Sequence, residues 1–238
     1  QLRIASGERL PLTQADIPRR GHAIEARLYS EDPRRGFLPS VGRIERFVHP
    51  AVDGEWRVDS GVADGDAITV HYDPMIAKVI ASGGDRSHAL ANLRRRLDRT
   101  AIFGVANNLP LLRAIAAHPE FAAGDVDTGF VDRELAALSQ EPPPPPEALL
   151  LAAALALKER ASTTGRMISP WAQGDGWRAG GSPAQSLGLR TPAFVRLRAR
   201  RRQDSIEIDD GRTKVRGSVD EIAPDRFAVD AGDGPREL

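Results

Sequence analysis

Residues Arg20-Gly21-His22-Ala23-Ile24-Glu25-Ala26-Arg27-Leu28-Tyr29-Ser30-Glu31-Asp32-Pro33 decide how the chain is read. From His22 to Tyr29 the side chains can alternate, with Ile24, Ala26 and Leu28 on one face and Glu25, Arg27 and Tyr29 on the other. That is the period-2 signature of a strand with one buried face, and Glu31-Asp32-Pro33 ends it. Arg27 therefore sits mid-strand among long neighbours on the polar face. A guanidinium is permanently charged and offers a planar fork of donors that suits an oxyanion or a carboxylate. Two readings of Arg27 stand at this point: an oxyanion-binding group, or one end of a salt bridge to Glu25 or Glu31.

Further short strands are predicted downstream at Arg43–Val48, Trp56–Asp59, Ala67–His71 and Ile76–Ser82, separated by Gly, Pro and Asp signals. Helices follow. Asp85 or Ser87 can cap one whose Leu90, Leu93 and Leu97 form a stripe. Asn107 or Asn108 can cap a second, with Pro110 in its first turn and Leu112 and Ile115 facing inward. Thr128 can start a third carrying Val131, Leu135 and Leu138. Strands followed by helices predict an α+β arrangement.

Pro142 to Pro146 are five consecutive prolines, a stiff extended spacer without N–H donors. The expected domains are 1–141 and 147–238, joined by a 142–146 linker. The second domain opens with a predicted helix from Glu147 to Thr163, stopped at Gly165 and apolar all round in its first turns. Such a helix needs cover on every side. Strands predicted at Phe194–Arg202, Ser205–Asp209, Thr213–Val219 and Arg226–Asp230 supply it, as a small antiparallel β-barrel around a central helix.

The 238 residues hold 33 basic and 33 acidic side chains, 41% hydrophobic residues and no cysteine. Zero formal net charge gives no global attraction to nucleic acid or anionic lipid. Without cysteine there is no disulfide, thiolate zinc site or cysteine nucleophile. No run approaches the ~18 apolar residues of a membrane span. Neither nucleic acid nor membrane is an expected partner. No Gly-x-Ser-x-Gly elbow occurs. His22, His49, His71, His88 and His118 are scattered without ligand spacing, so no metal site is expected. Gly83-Gly84-Asp85 could cradle phosphate before a helix, but no Walker lysine accompanies it and a plain turn is the simpler reading. Arg196, Arg198, Arg200 and Arg202 share one strand face. Without interleaved aromatics they read as a solvated face balanced by Glu207, Asp209 and Asp210. Gln1–Ala5 reads as the last turn of something that begins earlier, so the chain is expected to be an internal piece of a longer protein.

Beyond these patterns, Arg20–Pro33 resembles the RGHAIEARxxAEDP stretch of biotin carboxylases. Gly36-Phe37-Leu38-Pro39-Ser40-Val41-Gly42 is similar to the FLPSxG that follows it. Asp59–Val62 and His71-Tyr72-Asp73-Pro74-Met75-Ile76-Ala77-Lys78 continue the likeness through the YDPMIAK element, and Gly104-Val105 with Asn107-Asn108 resembles the GVxTN helix entry. The likeness is collinear from Gln1 to about Leu138. The second segment resembles the subunit-docking (BT) domain of acyl-CoA carboxylase α subunits. Its Ser169-Pro170-Trp171 and Asp175-Gly176-Trp177-Arg178 are similar to a stretch typical of the 3-methylcrotonyl-CoA type, with propionyl- and acetyl-CoA types as alternatives.

The resemblance implies a ligase component that carboxylates biotin with ATP, Mg and bicarbonate, for transfer to an acyl-CoA by a carboxyltransferase β subunit. It implies that Arg27 is both catalytic and biotin-binding: it approaches the ureido oxygen, where charge develops as the N1 proton leaves. The family's ATP-grasp region is expected before Gln1 and its biotinyl domain after Leu238, so no cofactor is expected on this piece alone. The β subunit, the biotinyl domain and other α subunits are the expected partners. The expected location is cytoplasmic, or the mitochondrial matrix in a eukaryote. The alternative is a non-catalytic scaffold that only docks the β subunit. Ser169–Arg178 is expected either to form the docking surface or to place Trp171 and Trp177 in the barrel core.

Overall fold

The computed structural model describes the chain apart from residues 19, 141, 163–183, 191–193, 203, 224–225 and 238. The described residues form two compact units, Gln1–Gln140 and Glu141–Leu238. The class is α+β with antiparallel pairing throughout.

The first unit runs α1 (Leu2–Ala5), β1 (His22–Tyr29), β2 (Glu31–Asp32), β3 (Leu38–Pro39), β4 (Gly42–Arg43), β5 (Arg46–Val48), β6 (Trp56–Ser60), β7 (Ala67–Ile68), β8 (Met75–Gly83), α2 (Arg86–Asp98), β9 (Ala101–Phe103), α3 (Leu109–Ala117), α4 (Pro119–Ala123) and α5 (Phe130–Leu138). Its main sheet has the order β1-β8-β6, which makes β1 an edge strand. The alternation read from the sequence is the one observed: Ile24, Ala26 and Leu28 are buried with Val79, Ala81 and Trp56, while Glu25 and Arg27 face out. Helix α2 covers the apolar side with Ala89, Leu90, Leu93 and Leu97. The Asp85 carboxylate accepts from the His88 amide at 2.8 Å, satisfying one of the free N–H groups of the first turn. At the other end of α2, Arg113 from α3 donates to the Leu97 and Thr100 carbonyls, at 2.8 and 2.6 Å through Nη2. A guanidinium there meets both the unpaired carbonyls and the negative end of the helix dipole.

Several local expectations shift. The Arg43–Val48 strand is split into β4 and β5, because Ile44 turns fully into the core and its backbone pairs with Asp66 and Gly65. β9, α4 and the two-residue strands β2 and β3 lack a periodic run and were not predicted. Helix α3 buries Leu109, Leu111 and Ala116, with Leu112 and Ile115 half-buried. Helix α5 starts at Phe130 rather than Thr128, because Asp127 accepts from the Gly129 amide and holds the preceding turn.

The second unit holds α6 (Pro146–Ser162) and the strands β10 (Gln185–Arg190), β11 (Phe194–Arg202), β12 (Ser205–Asp209), β13 (Lys214–Ala223), β14 (Arg226–Asp230) and β15 (Pro235–Glu237), paired in sequence order as one antiparallel meander. Its inner face packs on Leu149, Leu150, Ala153 and Leu157 of α6. Gly217 lies beneath this helix: a Cβ there would fall 2.6 Å from Leu150 Cδ1 and into the Asp230 carbonyl. Among the described residues the expected cover of α6 is formed on most sides, with β10, β12, β13 and β14 all reaching the helix. Leu155 is 41% exposed. The meander takes Leu149, Leu150, Ala153 and Leu157 into its core and half-buries Leu151, Ala154 and Ala156. The expected stop at Gly165 lies outside the described residues.

Glu147, in the first turn of α6, is buried, and its carboxylate meets Arg236 Nη1 of β15 at 2.8 Å. The pair is lopsided: the Glu147 side chain is 11% exposed and that of Arg236 61%. Arg236→Ala leaves a carboxylate buried without its cation and should destabilise the unit by about 3 kcal/mol. Glu147→Gln leaves Arg236 free to hydrate and should cost less than about 1 kcal/mol. Urea melts of the two variants check this, and equal losses would show that burial of Glu147 does not control the pair.

Candidate functional site

Four of the five stretches singled out in the first unit converge where β1 ends. The Ser30 amide donates to the Pro74 carbonyl at 2.8 Å, joining the first stretch to the Tyr72-Asp73-Pro74 turn. Ser30 is fully buried, and its hydroxyl donates to the Ser40 carbonyl at 2.6 Å, bringing in the Leu38–Ser40 segment. The Ser40 hydroxyl in turn accepts from the Ala106 amide at 3.1 Å, bringing in the loop before α3. Distant pieces of sequence thus share one buried polar network in which the serine groups are paired, as burial requires.

Arg27 stands on the outer face of the sheet beside this junction. Its register partner is Lys78 on β8, which in turn pairs with Asp59 on β6. One row across the sheet therefore reads Arg27, Lys78, Asp59. Arg57 reaches Asp59 through two contacts of 2.8 and 2.6 Å. Hydrogen bonding to Arg57, and then its charge and that of Lys78, hold the Asp59 carboxyl below its ordinary range. Arg27 Nε donates to Glu25 Oε1 at 2.9 Å, so the salt bridge to Glu25 is formed. Glu25 is the main cause that raises the Arg27 pKa further, with a smaller contribution from Tyr29. The Arg27 side chain is 57% exposed. The Glu25 contact uses Nε, and the terminal nitrogens carry four further N–H groups with which a ligand oxygen can be met. On the other side of the junction Glu31 is pushed up by burial and by the nearby Asp73 carboxylate.

Asn108 completes the junction in a role that the sequence reading missed. Its side chain caps nothing. Oδ1 accepts from the Tyr29 amide at 2.9 Å, and Nδ2 donates to the Arg27 carbonyl at 3.0 Å. Asn108 is the N-cap by position, but the first helical amide, that of Leu109, is taken by Asn107 Oδ1 one residue earlier, at 3.1 Å. Two consecutive asparagines before a helix that needs one side-chain cap were the only local signal.

The other candidates are not brought into this site. His22 lies against Arg86, His88 is 3.8 Å from Glu55, and His118 accepts from the Glu120 amide at the start of α4. Among the described residues no group of three or more His, Asp or Glu is placed to hold a metal ion. Gly83 serves close packing, since a Cβ there would sit 2.6 Å from the Ala89 amide nitrogen. Arg196 and Arg198 are exposed on the outer face of β11, where Arg198 pairs in register with Asp209 and Arg200 with Glu207 of β12. Glu207 bridges to Lys214 at 3.1 Å. Ser169–Arg178, with Trp171 and Trp177, lies outside the described residues.

The biotin carboxylase C-terminal domain profile matches residues 25–133, and the profile of the methylcrotonyl-CoA carboxylase α-subunit BT domain matches residues 145–237. The chain belongs to the α-subunit family of biotin-dependent acyl-CoA carboxylases. It is 39% identical over 199 residues to the mitochondrial methylcrotonoyl-CoA carboxylase subunit alpha of Mus musculus, a match covering 80% of this chain and 28% of that protein. To the mitochondrial propionyl-CoA carboxylase alpha chain of Caenorhabditis briggsae it is 46% identical over 132 residues, covering 55% of this chain and 18% of that one. Among solved structures it resembles the biotin carboxylase domain dimer of Hydrogenobacter thermophilus 2-oxoglutarate carboxylase in complex with MgADP, ADP and bicarbonate. That match has TM-score 0.57 and 35% identity, covering 60% of this chain and 31% of the other. This α-subunit chain thus spans less than a third of the length of each. The first profile match takes in Arg27, Ser30, Ser40, Lys78 and Asn108, so the whole junction lies inside the biotin carboxylase region.

Proposed function

We propose that the first unit supplies one wall of a biotin carboxylation site in a 3-methylcrotonyl-CoA carboxylase, with Arg27 as its catalytic residue, and that the second unit docks the carboxyltransferase β subunit. The observation that carries the methylcrotonyl assignment is the match of residues 145–237 to the BT domain profile of that enzyme. The mouse relative supports it, since its match extends over 80% of this chain. The donor set of the outer sheet face fits biotin: a permanently charged guanidinium with N–H groups to spare, beside a lysine, on a strand whose other face is locked in the core.

Bound biotin would supply a ureido nitrogen to take the carboxyl group and a ureido oxygen on which negative charge would grow. Arg27 donates hydrogen bonds to that oxygen. Such donors act most strongly when held in place before the charge appears. The Glu25 contact takes only Nε and so leaves the terminal nitrogens for the ligand. Lys78 adds positive potential in the same row. ATP and bicarbonate would be handled by residues outside these 238.

The test is carboxylation of a panel of acyl-CoAs by the complete α subunit with its β subunit, in the presence of ATP and bicarbonate. The expected result is the highest kcat/KM with 3-methylcrotonyl-CoA. A preference for propionyl-CoA would move the assignment to that relative, and absence of any ATP-dependent carboxylation would remove it.

A further inference from the structure

We propose that Asn108 is a positioning residue for Arg27, acting through the backbone of the strand that carries it. This inference rests on the reading of Arg27 as the group that meets the ureido oxygen.

β1 is the edge strand of its sheet, so half of its backbone groups have no strand neighbour. Its pairing with β8 also slips between Leu28 and Tyr29, so the ladder loosens next to Arg27. Asn108 stands in for the missing strand. Its side chain takes the Tyr29 amide and the Arg27 carbonyl, and its own amide donates to the Tyr29 carbonyl at 3.1 Å. Three hydrogen bonds thus span residues 27 to 29, made by a residue 8% exposed and so shielded from competing water. The Arg27 side chain itself is held only by exposed contacts to its strand neighbours Glu25 and Tyr29. Its ion pair with Glu25 is exposed on both sides and water-weakened. The aim of the guanidinium is therefore set chiefly by its backbone. A rotation of ~10° at the Cα swings the end of an arginine by about 1 Å, and a displacement of that size can cost ~10²-fold in rate.

A buried asparagine also contributes to stability, so the test must separate aim from folding. Asn92 provides the control. It is 2% exposed, ties Glu55 and the Ser82 carbonyl together at 2.9 Å each, and touches neither Arg27 nor Tyr29. The experiment is ATP-dependent carboxylation of free biotin by the complete α subunit, comparing Asn108→Ala, Asn92→Ala, Arg27→Ala and the Arg27→Ala/Asn108→Ala double variant, each below its melting temperature. The expected result is a fall in kcat of tenfold or more for Asn108→Ala, with the KM for ATP unchanged, and less than twofold for Asn92→Ala. In the Arg27→Ala background, Asn108→Ala should change the remaining rate by less than twofold, because nothing is left to aim.

Equal factors for Asn108→Ala with and without Arg27 would show a merely structural residue and overturn the inference. So would no fall at all in the single variant while Arg27→Ala is impaired. If Arg27→Ala itself loses nothing, the reading of Arg27 falls instead, which keeps the two failures distinct. Should Asn108→Ala not fold, Asn108→Asp goes through the same cycle. It keeps the shape and the Tyr29 contact but, when ionised, cannot donate to the Arg27 carbonyl, and the same non-additivity is expected.

Discussion

Arg27→Ala in the complete α subunit should lower kcat for biotin carboxylation by ~10²–10³-fold, the loss found when one preorganised donor to a developing oxyanion is removed. The fold should be untouched. The side chain lies on the solvent face, its single ion pair is exposed, and the core below it is built from Ile24, Ala26 and Leu28. Melting temperature should therefore match the parent. Arg27→Lys should recover only part of the rate. An ammonium is a point charge without the planar fork: its three donors radiate from a single nitrogen, so a contact with Glu25 draws the whole charge toward that carboxylate, whereas Arg27 meets Glu25 through Nε and keeps its terminal nitrogens apart from it. Unchanged carboxylation of free biotin by the alanine variant would end the assignment.

Gly217→Ala should be the most destabilising small substitution in the second unit. The added carbon would lie 2.1 Å from the Asp230 carbonyl oxygen and 2.6 Å from Leu150 Cδ1. Leu150 could shift rotamer, but the Asp230 carbonyl belongs to the paired strand β14 and cannot move without breaking the ladder next to Ser218. The cost should reach about 3 kcal/mol, the upper end for overpacking, and lower the melting temperature of the unit by roughly 12–24 °C. Ser218→Ala, the next residue and on the opposite face, should stay within about 0.5 kcal/mol of the parent. Thermal melts of the two variants give the comparison. A loss below about 1 kcal/mol for Gly217→Ala would mean that α6 does not press on β13 as closely as described. The prediction also bears on assembly: if the second unit docks the β subunit, Gly217→Ala should weaken co-purification through loss of the scaffold, with Gly217 itself facing inward.

Much of the local structure was legible in the residues. The alternation from His22 to Tyr29 gave the buried and exposed faces of β1. The Leu90, Leu93, Leu97 stripe gave the buried face of α2, and the apolar run from Ala148 to Leu157 announced a helix that packs on strands. Both signals are local: a strand or helix with one wet face must repeat its apolar residues at its own period. Where the period is too short to register, the reading failed, as at β9 with its three residues or at β4 and β5, where Ile44 breaks a single predicted strand. The candidate site was legible in part. Arg27 stands out as a cation mid-strand on a polar face, but its pattern alone could not choose between a salt bridge and a ligand contact, and the structure holds it in the first while leaving further N–H groups for the second.

What the sequence by itself determined is which residues face in and which face out along each segment, and through its motifs, the family. Only the tertiary structure decided who meets whom. Lys78 and Asp59 come into one row with Arg27 because β8 lies between β1 and β6, a choice that no periodicity encodes. Asn108 reaches back 81 residues to the Arg27 carbonyl, because the loop before α3 is drawn to the edge of β1 by Ser30 and Ser40. Gly217 is a glycine because a helix from 67 positions earlier passes against it, and Leu155 stays exposed although the α6 residues on either side of it are covered by strands. The physical reason is the same in each case. Side-chain periodicity is fixed by the geometry of a single segment, whereas pairing and packing are settled by the competition of all segments for the same buried space, and that competition leaves no mark at any one position.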